Sequence, residues 1–369
     1  MQNNLNSPDA KAIDVAVAAA ARRDEKGFSL LELVIAMVIF IIVTIAIYGV
    51  LQLAQRNRLL VNQQVQSTKN VRFALNLIGR DTYNAGYAYP MNSTVVLPDN
   101  KISSLLSIPN DFDTSRDTVP PIISGNDINP NTFNTTPNTK TDQVTFIFKD
   151  STFNLIGAPG SEVSQPLSID AATTNNGIDE IVPVSGSNAA CRKNDILLVT
   201  GNAGSALALV TGLSGTDKVQ FSNGDVLGFN QTGDNGTLLG IKTPASMQRV
   251  RMITYFVTAD GILTRREYAN VPPVGSNPPQ NWTDEPIVYG VENFQIKYVM
   301  DDGTLSDNPS AGADAVPGTA DDLQSNLTKV RQVRFTVHVK TNELDHRNQP
   351  YRINMSSTFS TRNLGYDAS

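Results

Sequence analysis

The feature that most constrains this 369-residue chain is an apolar run near its N-terminus. No charged residue occurs from Leu33 to Leu51, and a helix needs about 20 such residues to cross the apolar core of a bilayer. No proline interrupts residues 28–89, so the sequence predicts one helix of roughly 50 residues, about 75–80 Å long. The run therefore predicts a membrane-spanning segment that continues as a helix beyond the membrane.

A single carboxylate, Glu32, stands immediately before this run. A carboxylate in a membrane-embedded helix is costly, so its presence is a hypothesis of function by default. In the first helical turn the positive end of the helix dipole favours the negative charge. The alternative is a carboxylate at the membrane edge that simply reaches water.

Residues 26–32 read Lys-Gly-Phe-Ser-Leu-Leu-Glu. With the apolar run behind it, this segment resembles the class III signal of type IV prepilins and type II secretion pseudopilins. The resemblance implies that residues 1–27 are a leader, that a prepilin peptidase cuts after Gly27, and that the new N-terminal Phe28 is N-methylated. The family's glutamate lies five residues into the mature chain, and Glu32 falls there.

The same resemblance implies a role for the charge and a location for the protein. After cleavage, Glu32 lies one turn from the α-ammonium of Phe28, and we expect it to pair with that group in the same or a neighbouring subunit. Such pairing would set the axial register of stacked helices. The expected location is the inner membrane, with a single span and the head in the periplasm, followed by the pilus at the cell surface. Expected partners are the prepilin peptidase and other minor and major pilins.

The helix is expected to span residues 28–86, with residues 28–54 in the membrane. Beyond the membrane its apolar residues recur at spacings of three and four, which predicts one face packed on the rest of the protein. The members of this stripe are Val61, Val65, Thr68, Val71, Leu75 and Ile78. Gly49 is the one interior weak point before Gly79. The resemblance implies that this region of the helix can loosen in assembled pili, so Gly49 either serves there or is a tolerated glycine.

Residues 87–369 are predicted to form a β-rich periplasmic or extracellular head. Residues 90–140 have the composition of loops, and strand patterns follow from Gln143 onward. Asp260-Gly261 predicts a hairpin turn, because glycine tolerates a positive φ. The predicted strands are Gln143–Phe148, Asp195–Thr200, Ala206–Thr211, Val250–Thr258, Ile262–Tyr268, Ile287–Met300, Val330–Lys340 and Tyr351–Ser360. The predicted fold class is α+β, a long helix packed on a mainly antiparallel sheet with long loops.

One strand pattern predicts which face of the sheet is buried. Val333, Phe335, Val337 and Val339 alternate with Arg334, Thr336, His338 and Lys340. We therefore predict one buried apolar face and one solvated, basic face.

Three further segments resemble PilW-type minor pilins, in that family's order. They are the helix end at residues 73–87, which closes on Ala-Gly-Tyr, the stretch Val291–Tyr298 and the closing stretch Ser357–Asn363. The predicted function is therefore a PilW-like minor pilin that contributes to pilus assembly or initiation and to the pilus tip. Two alternatives stay open: a J-type minor pseudopilin of a type II secretion system, and an anchored binding protein or enzyme that never polymerises.

The sequence shows little sign of chemistry. The two histidines, His338 and His346, lie outside any catalytic motif, so no enzymatic activity is expected. Cys191 is the single cysteine, which excludes an intramolecular disulfide, and we expect a partly buried, unreactive thiol. This is a departure from the many family members that carry a disulfide-bounded loop.

Two acidic loops are the weak candidates for calcium binding, because hard oxygen donors suit that ion. Their spacing does not fit an EF-hand, so we predict solvated loops and no cofactor. The candidate ligands are Asp301, Asp302 and Asp307, and a second loop holds Asp314, Asp321 and Asp322. Asp127-Ile-Asn129-Pro-Asn131 also lacks the EF-hand's glycine and glutamate.

Charge does not favour nucleic acid as a partner. The chain carries a net charge of −6, and the leader holds equal numbers of acidic and basic residues, so cleavage leaves that value unchanged. Bulk electrostatic attraction to phosphate is therefore not expected. Arg334, Lys340 and Arg352 are the exposed cations that a DNA-uptake role would use, and we interpret them as a solvated strand face.

Overall fold

The computed structural model describes residues 28–90, 95–109, 115–134, 139–174, 178–183, 187–202, 204–231, 238, 241, 244–270, 282–311, 324–344 and 349–364. The chain divides into two units, residues 1–61 and residues 62–369. The leader predicted at residues 1–27 lies outside the described residues.

Helix α1 spans Leu30–Asn84, 55 residues, and it is the single long helix that the sequence predicts. It ends where Gly86 adopts a φ of 77°, a left-handed conformation that glycine accepts without a side-chain clash. The Ala85 N–H still bonds to the Asp81 carbonyl at 3.0 Å. The last helical turn is therefore complete before the chain reverses.

The buried face of α1 is shorter than the periodicity predicted. Val71, Leu75 and Ile78 are buried against the head. Val61 and Val65, in contrast, are 54% and 48% exposed, so their expected burial is wrong. A spacing of three and four residues indicates which face of a helix a residue lies on. Whether that face is buried depends on how far the neighbouring sheet extends along the helix.

The second unit contains a large sheet that is mainly antiparallel. Its strands are β1 (Val95–Leu97), β2 (Asp117–Thr118), β3 (Ile122–Pro130), β4 (Lys140–Lys149), β7 (Leu167–Thr174), β8 (Ile178–Pro183), β9 (Ile196–Gly201), β10 (Gly204–Leu209), β11 (Gly212–Ser214), β12 (Lys218–Gln220), β13 (Ala245–Val257), β14 (Ile262–Tyr268) and β15 (Trp282–Tyr289). Nine of these strands follow one another in the spatial order β11-β12-β8-β7-β13-β9-β10-β1-β2, and the other four, β14, β15, β3 and β4, extend from β13. Among the described pairings in this sheet, only β1 with β10 is parallel.

Smaller elements complete the described secondary structure. A second sheet has the order β17-β16-β18-β19, formed by β16 (Val291–Met300), β17 (Leu305–Ser306), β18 (Val330–Leu344) and β19 (Pro350–Ser360). A short hairpin joins β5 (Leu155–Ile156) and β6 (Val163–Ser164). Helix α2 covers Lys101–Leu106, and a 3₁₀ helix covers Gln324–Lys329.

The predicted alternation on β18 is confirmed. Its four apolar residues from Val333 to Val339 are buried, and the residues between them lie on the outer, more exposed face. The ring of Phe335 stacks on that of Phe294 from β16, with their centroids 6.2 Å apart. The main core lies between α1, the second sheet and the part of the large sheet that includes β4, β13 and β14.

Two strand predictions are corrected. Residues 90–140 are not only loops, because they contain α2 and the nine-residue strand β3. The strand predicted over Ile287–Met300 is two strands, separated at Gly290, whose φ is 80°. At that bend the Lys340 N–H donates to the Gly290 carbonyl and the Val291 N–H donates to the Gly261 carbonyl, both at 2.8 Å. The Asp260-Gly261 hairpin itself is confirmed, with Gly261 at a φ of 74°.

Candidate processing and assembly site

The start of α1 is closed by a capping box. Ser29 Oγ accepts a hydrogen bond from the Leu31 N–H at 3.2 Å, and Glu32 Oε2 accepts one from the Ser29 N–H at 3.1 Å. These reciprocal bonds satisfy N–H groups that a helix start otherwise leaves unpaired. This role of Ser29 and Glu32 was not predicted above, although S-x-x-E before an apolar run signals a helix start.

The cap places the Glu32 carboxylate beside the predicted cleavage point. It bonds to the backbone N–H of the residue that follows Phe28, and Phe28 itself is 86% exposed. Gly27 lies outside the described residues. Cleavage after Gly27 and pairing of Glu32 with the α-ammonium of Phe28 stay predictions.

The first part of α1 is an exposed apolar cylinder. From Leu30 to Leu53 its large apolar side chains are 46–81% exposed. The hydroxyl of Thr44 donates to the Phe40 carbonyl at 2.7 Å, so this polar group is satisfied within the helix. By length and composition α1 can cross a membrane. The helix is thus compatible with anchoring in the inner membrane.

A buried carboxylate ties the end of α1 to the large sheet. Asp81 is 1% exposed, and its Oδ2 accepts hydrogen bonds from the Tyr255 hydroxyl at 2.7 Å and from Arg265 Nε at 3.1 Å. Burial, with Asp81 beside it, raises the pKa of the Tyr255 hydroxyl. The burial of Asp81 was not predicted from the sequence. It lies three residues after Ile78, and this helical spacing indicates the same, buried face of α1.

The helix end also contacts the closing segment of the chain. A Cβ at Gly79 would overlap the ring of Phe359, and one at Gly86 would lie 2.8 Å from Leu364 Cδ2. The guanidinium of Arg362 lies over the ring of Tyr83, 5.4 Å from its centroid. Two of the three segments with a PilW-type resemblance therefore meet in the folded chain.

Two of the three calcium candidates in the first acidic loop, Asp302 and Asp307, are engaged by nearby side chains. Asp302 Oδ1 accepts hydrogen bonds from the N–H and the hydroxyl of Thr304, at 2.8 and 2.6 Å, and these bonds lower the pKa of Asp302. Asp307 pairs with Lys297 at 3.0 Å. Within the residues that the structure describes, no three carboxylate, histidine or cysteine side chains converge as metal ligands. Asp314, Asp321 and Asp322 lie outside those residues.

The cations considered for phosphate contact are partly engaged. Glu292 pairs with Arg352 at 2.8 Å and with Lys340 at 3.5 Å, and Lys340 Nζ also donates to the Phe133 carbonyl. The expectation of an exposed Lys340 is therefore wrong, since its side chain is 15% exposed. Arg334 stays exposed on β18.

Among the described residues, neither Cys191 nor His338 belongs to a cluster of metal-ligating side chains. Cys191 is buried, and burial raises the pKa of its thiol to about 12, as expected of an unreactive side chain. His338 lies half-exposed on the outer face of β18. His346 lies outside the described residues.

A second buried carboxylate, Asp142 on β4, joins the two sheets. Its oxygens accept the Asp127 N–H at 2.9 Å and the Ile296 N–H of β16 at 2.6 Å. Burial raises the pKa of Asp142 to about 7, and the nearby carboxylates Asp127 and Asp307 add to that shift. Burial raises the pKa of the Tyr298 hydroxyl, and the charge of Asp142 adds to that shift. Asp142 is thus a titratable contact between sheets.

Comparison with known proteins identifies the N-terminal segment. Residues 22–48 match the family model of the prokaryotic N-terminal methylation motif. This match covers Gly27, Phe28, Glu32 and the first turns of α1. No curated protein and no solved structure shows a significant match to the chain.

Proposed function

We propose that this type IV prepilin-like protein is a PilW-type minor pilin that contributes to pilus assembly or initiation and to the pilus tip. The observation that carries the proposal is the methylation motif at residues 22–48, at the start of a 55-residue helix. The apolar half of that helix is exposed, as a segment that moves from membrane to filament requires. The motif points to a structural subunit rather than an enzyme.

The contact between the helix end and the closing segment supports the PilW-type subgroup. Gly79 on the helix side admits Phe359 of the closing segment, and Gly86 admits Leu364, the residue that follows that segment, in positions where a Cβ would clash. The Tyr83 carbonyl accepts a hydrogen bond from Asn363 at 2.9 Å. The helix end and the closing segment, two of the segments that resemble PilW-type minor pilins, therefore pack against each other.

The direct test is the mass and N-terminal sequence of the mature protein. Co-expression with a prepilin peptidase should remove residues 1–27 and leave methylated Phe28 at the new N-terminus. A variant with a bulky residue in place of Gly27 should keep its full-length mass, because the peptidase must fit the residue before the cut. Retention of the full-length mass by the unaltered protein would instead favour an anchored protein that does not polymerise.

A J-type minor pseudopilin is the second candidate, because the same motif and helix serve both systems. Deletion of the gene separates the two functions. We expect loss of piliation and twitching with exoprotein secretion intact. Intact piliation with blocked secretion would favour the pseudopilin.

A further inference from the structure

The outward face of α1 in the second unit carries an ordered row of exposed residues. Its helical members, Lys69, Phe73, Asn76, Arg80 and Tyr83, recur at spacings of four and three, and Tyr87 follows in the turn after the helix; we call these six residues the outer stripe. It lies opposite the buried residues Val71, Leu75 and Ile78. The stripe is therefore a helix surface that the head leaves uncovered.

Three aromatic side chains of this stripe are exposed. Phe73, Tyr83 and Tyr87 are 62%, 45% and 51% exposed. Single exposed apolar residues need no explanation, but aligned aromatic residues are typical of protein interfaces. Tyr83 is also held in place, because its hydroxyl accepts a hydrogen bond from Arg362 at 2.5 Å.

The charged residues of the outer stripe, Lys69 and Arg80, are both basic. Between Glu32 and Asp81 the helix has no acidic residue, and Asp81 is buried. Lys69 and Arg72 are exposed and form no ion pair within the described part of the chain. Arg80 contacts the buried Asp81 at 3.3 Å, yet its side chain remains 60% exposed. These cations stand out in a chain of net charge −6.

We propose that the outer stripe, with Arg72 beside it, docks a carboxylate-bearing surface of a different filament subunit. This inference rests on the proposed function. Aromatic residues and arginine are enriched at the centres of protein interfaces, and a basic face selects an acidic partner. Pairing of two identical stripes is disfavoured, because it would place cation against cation.

Two other anionic partners fit the observations less well. Lys69 lies about fifteen residues past residue 54, roughly 22 Å along the helix, which is beyond the lipid headgroups of the predicted span. A single-stranded nucleic acid requires free aromatic faces for stacking, whereas the guanidinium of Arg362 lies over Tyr83. The net charge of −6 also opposes a polyanion.

Photo-crosslinking of the full chain in its host cell tests the proposal. A photoreactive residue replaces Asn76 at the centre of the stripe, and a second variant carries it at Tyr351, which is 43% exposed on β19. We expect the first variant to crosslink to another pilin-like subunit at an acidic peptide, and the second variant to leave that subunit unlinked. Crosslinking only to an identical chain, to lipid, or to nothing would overturn the proposal.

Charge reversal supplies the control for specificity. Lys69→Glu with Arg72→Glu should lower the crosslink yield roughly ten-fold. Lys193→Glu, at an exposed position elsewhere in the head, should leave the yield unchanged. Replacement of the partner's carboxylates by lysine should restore the yield in the reversed variant. A yield that charge reversal leaves unchanged would overturn the proposal, provided that the variant unfolds at the temperature of the unaltered protein.

The same variants separate this inference from the proposed function. If the unaltered protein is missing from sheared filaments and its deletion has no effect on them, the proposed function fails. If the protein is present in filaments and the Asn76 position still forms no crosslink, only the docking surface fails. Binding of a 20-nucleotide single-stranded DNA to the full chain in detergent micelles, lost on the same charge reversal, would assign the stripe to nucleic acid instead.

Discussion

Glu32 has one role that the structure shows and a second that we predict. Its carboxylate closes the capping box with Ser29, and cleavage after Gly27 would place the α-ammonium of Phe28 within about one helical turn of it. The cap needs only a hydrogen-bond acceptor, whereas ion pairing needs a charge. Substitutions that keep one property and remove the other can therefore separate the two roles.

We expect Glu32→Gln and Glu32→Ala both to insert and to be cleaved, and both to be poorly incorporated into filaments. Glutamine preserves the acceptor but not the charge, and alanine removes both, at an additional cost to the helix start of about 1 kcal/mol. The measurement is the ratio of protein in sheared filaments to protein in membranes. Normal incorporation of the glutamine variant would leave the cap as the only role of Glu32.

Asp142 makes the stability of the head depend on pH. Its pKa of about 7 in the folded protein lies above its ordinary value, so the folded state holds the proton more tightly than the unfolded state does. Its contribution to stability is therefore largest at low pH and is lost as the pH rises towards and through 7.

The prediction is that this loss disappears when Asp142 is replaced by asparagine. Between pH 5 and pH 8 the free energy of unfolding of the unaltered protein should fall relative to Asp142→Asn, by on the order of 2 kcal/mol. Urea unfolding of both proteins at each pH measures this difference. Parallel pH profiles would show that Asp142 titrates normally in the folded state.

At the scale of elements, the end of α1 is joined to β13 and β14 by Asp81. Removing its carboxylate leaves Arg265, which is 8% exposed, and the Tyr255 hydroxyl without this acceptor. We expect Asp81→Ala to destabilise the protein by about 3 kcal/mol. The double replacement Asp81→Leu with Arg265→Leu should cost less, because no buried charge is left unpaired. A larger cost for the double variant in urea unfolding would contradict this account.

Gly86 is the residue on which the junction between the helix end and the closing segment depends. Its φ of 77° disfavours any L side chain, and a Cβ there would lie 2.8 Å from Leu364 Cδ2 and 3.2 Å from the Asn363 carbonyl oxygen. Gly86→Ala should destabilise the protein by about 1–2 kcal/mol. Gly49→Ala is the matched control, because nothing lies within 4 Å of a Cβ there and alanine favours a helix. Equal melting temperatures for the two variants would remove the proposed constraint at Gly86.

For the whole molecule, we expect stability to be independent of calcium. Two of the described candidates, Asp302 and Asp307, are engaged with Thr304 and Lys297. The melting temperature of the full chain in micelles should be the same in calcium and in a chelator. A rise in calcium that Asp301→Ala or Asp302→Ala abolishes would reveal a site.

Features with a local cause were predictable from the sequence. The long helix follows from an apolar run without proline, and the burial on β18 follows from strict alternation. The hairpin at Asp260-Gly261 follows from glycine's tolerance of positive φ. The candidate site at Phe28 and Glu32 belongs to this class, because a peptidase signal is read within a few residues.

Features with a distant cause were decided only by tertiary structure. Strand β3 has the composition of a loop, yet β4 supplies its hydrogen bonds, and β4 in turn pairs with β13, about a hundred residues further along the chain. The same holds for Asp81, whose partners on β13 and β14 make a buried carboxylate tolerable. The sequence pattern alone determines helix α1, because the backbone hydrogen bonds of a helix are formed between residues four positions apart. The arrangement of the β-rich head was decided only by the tertiary structure, because the partners of its hydrogen bonds and charged side chains are far away in sequence.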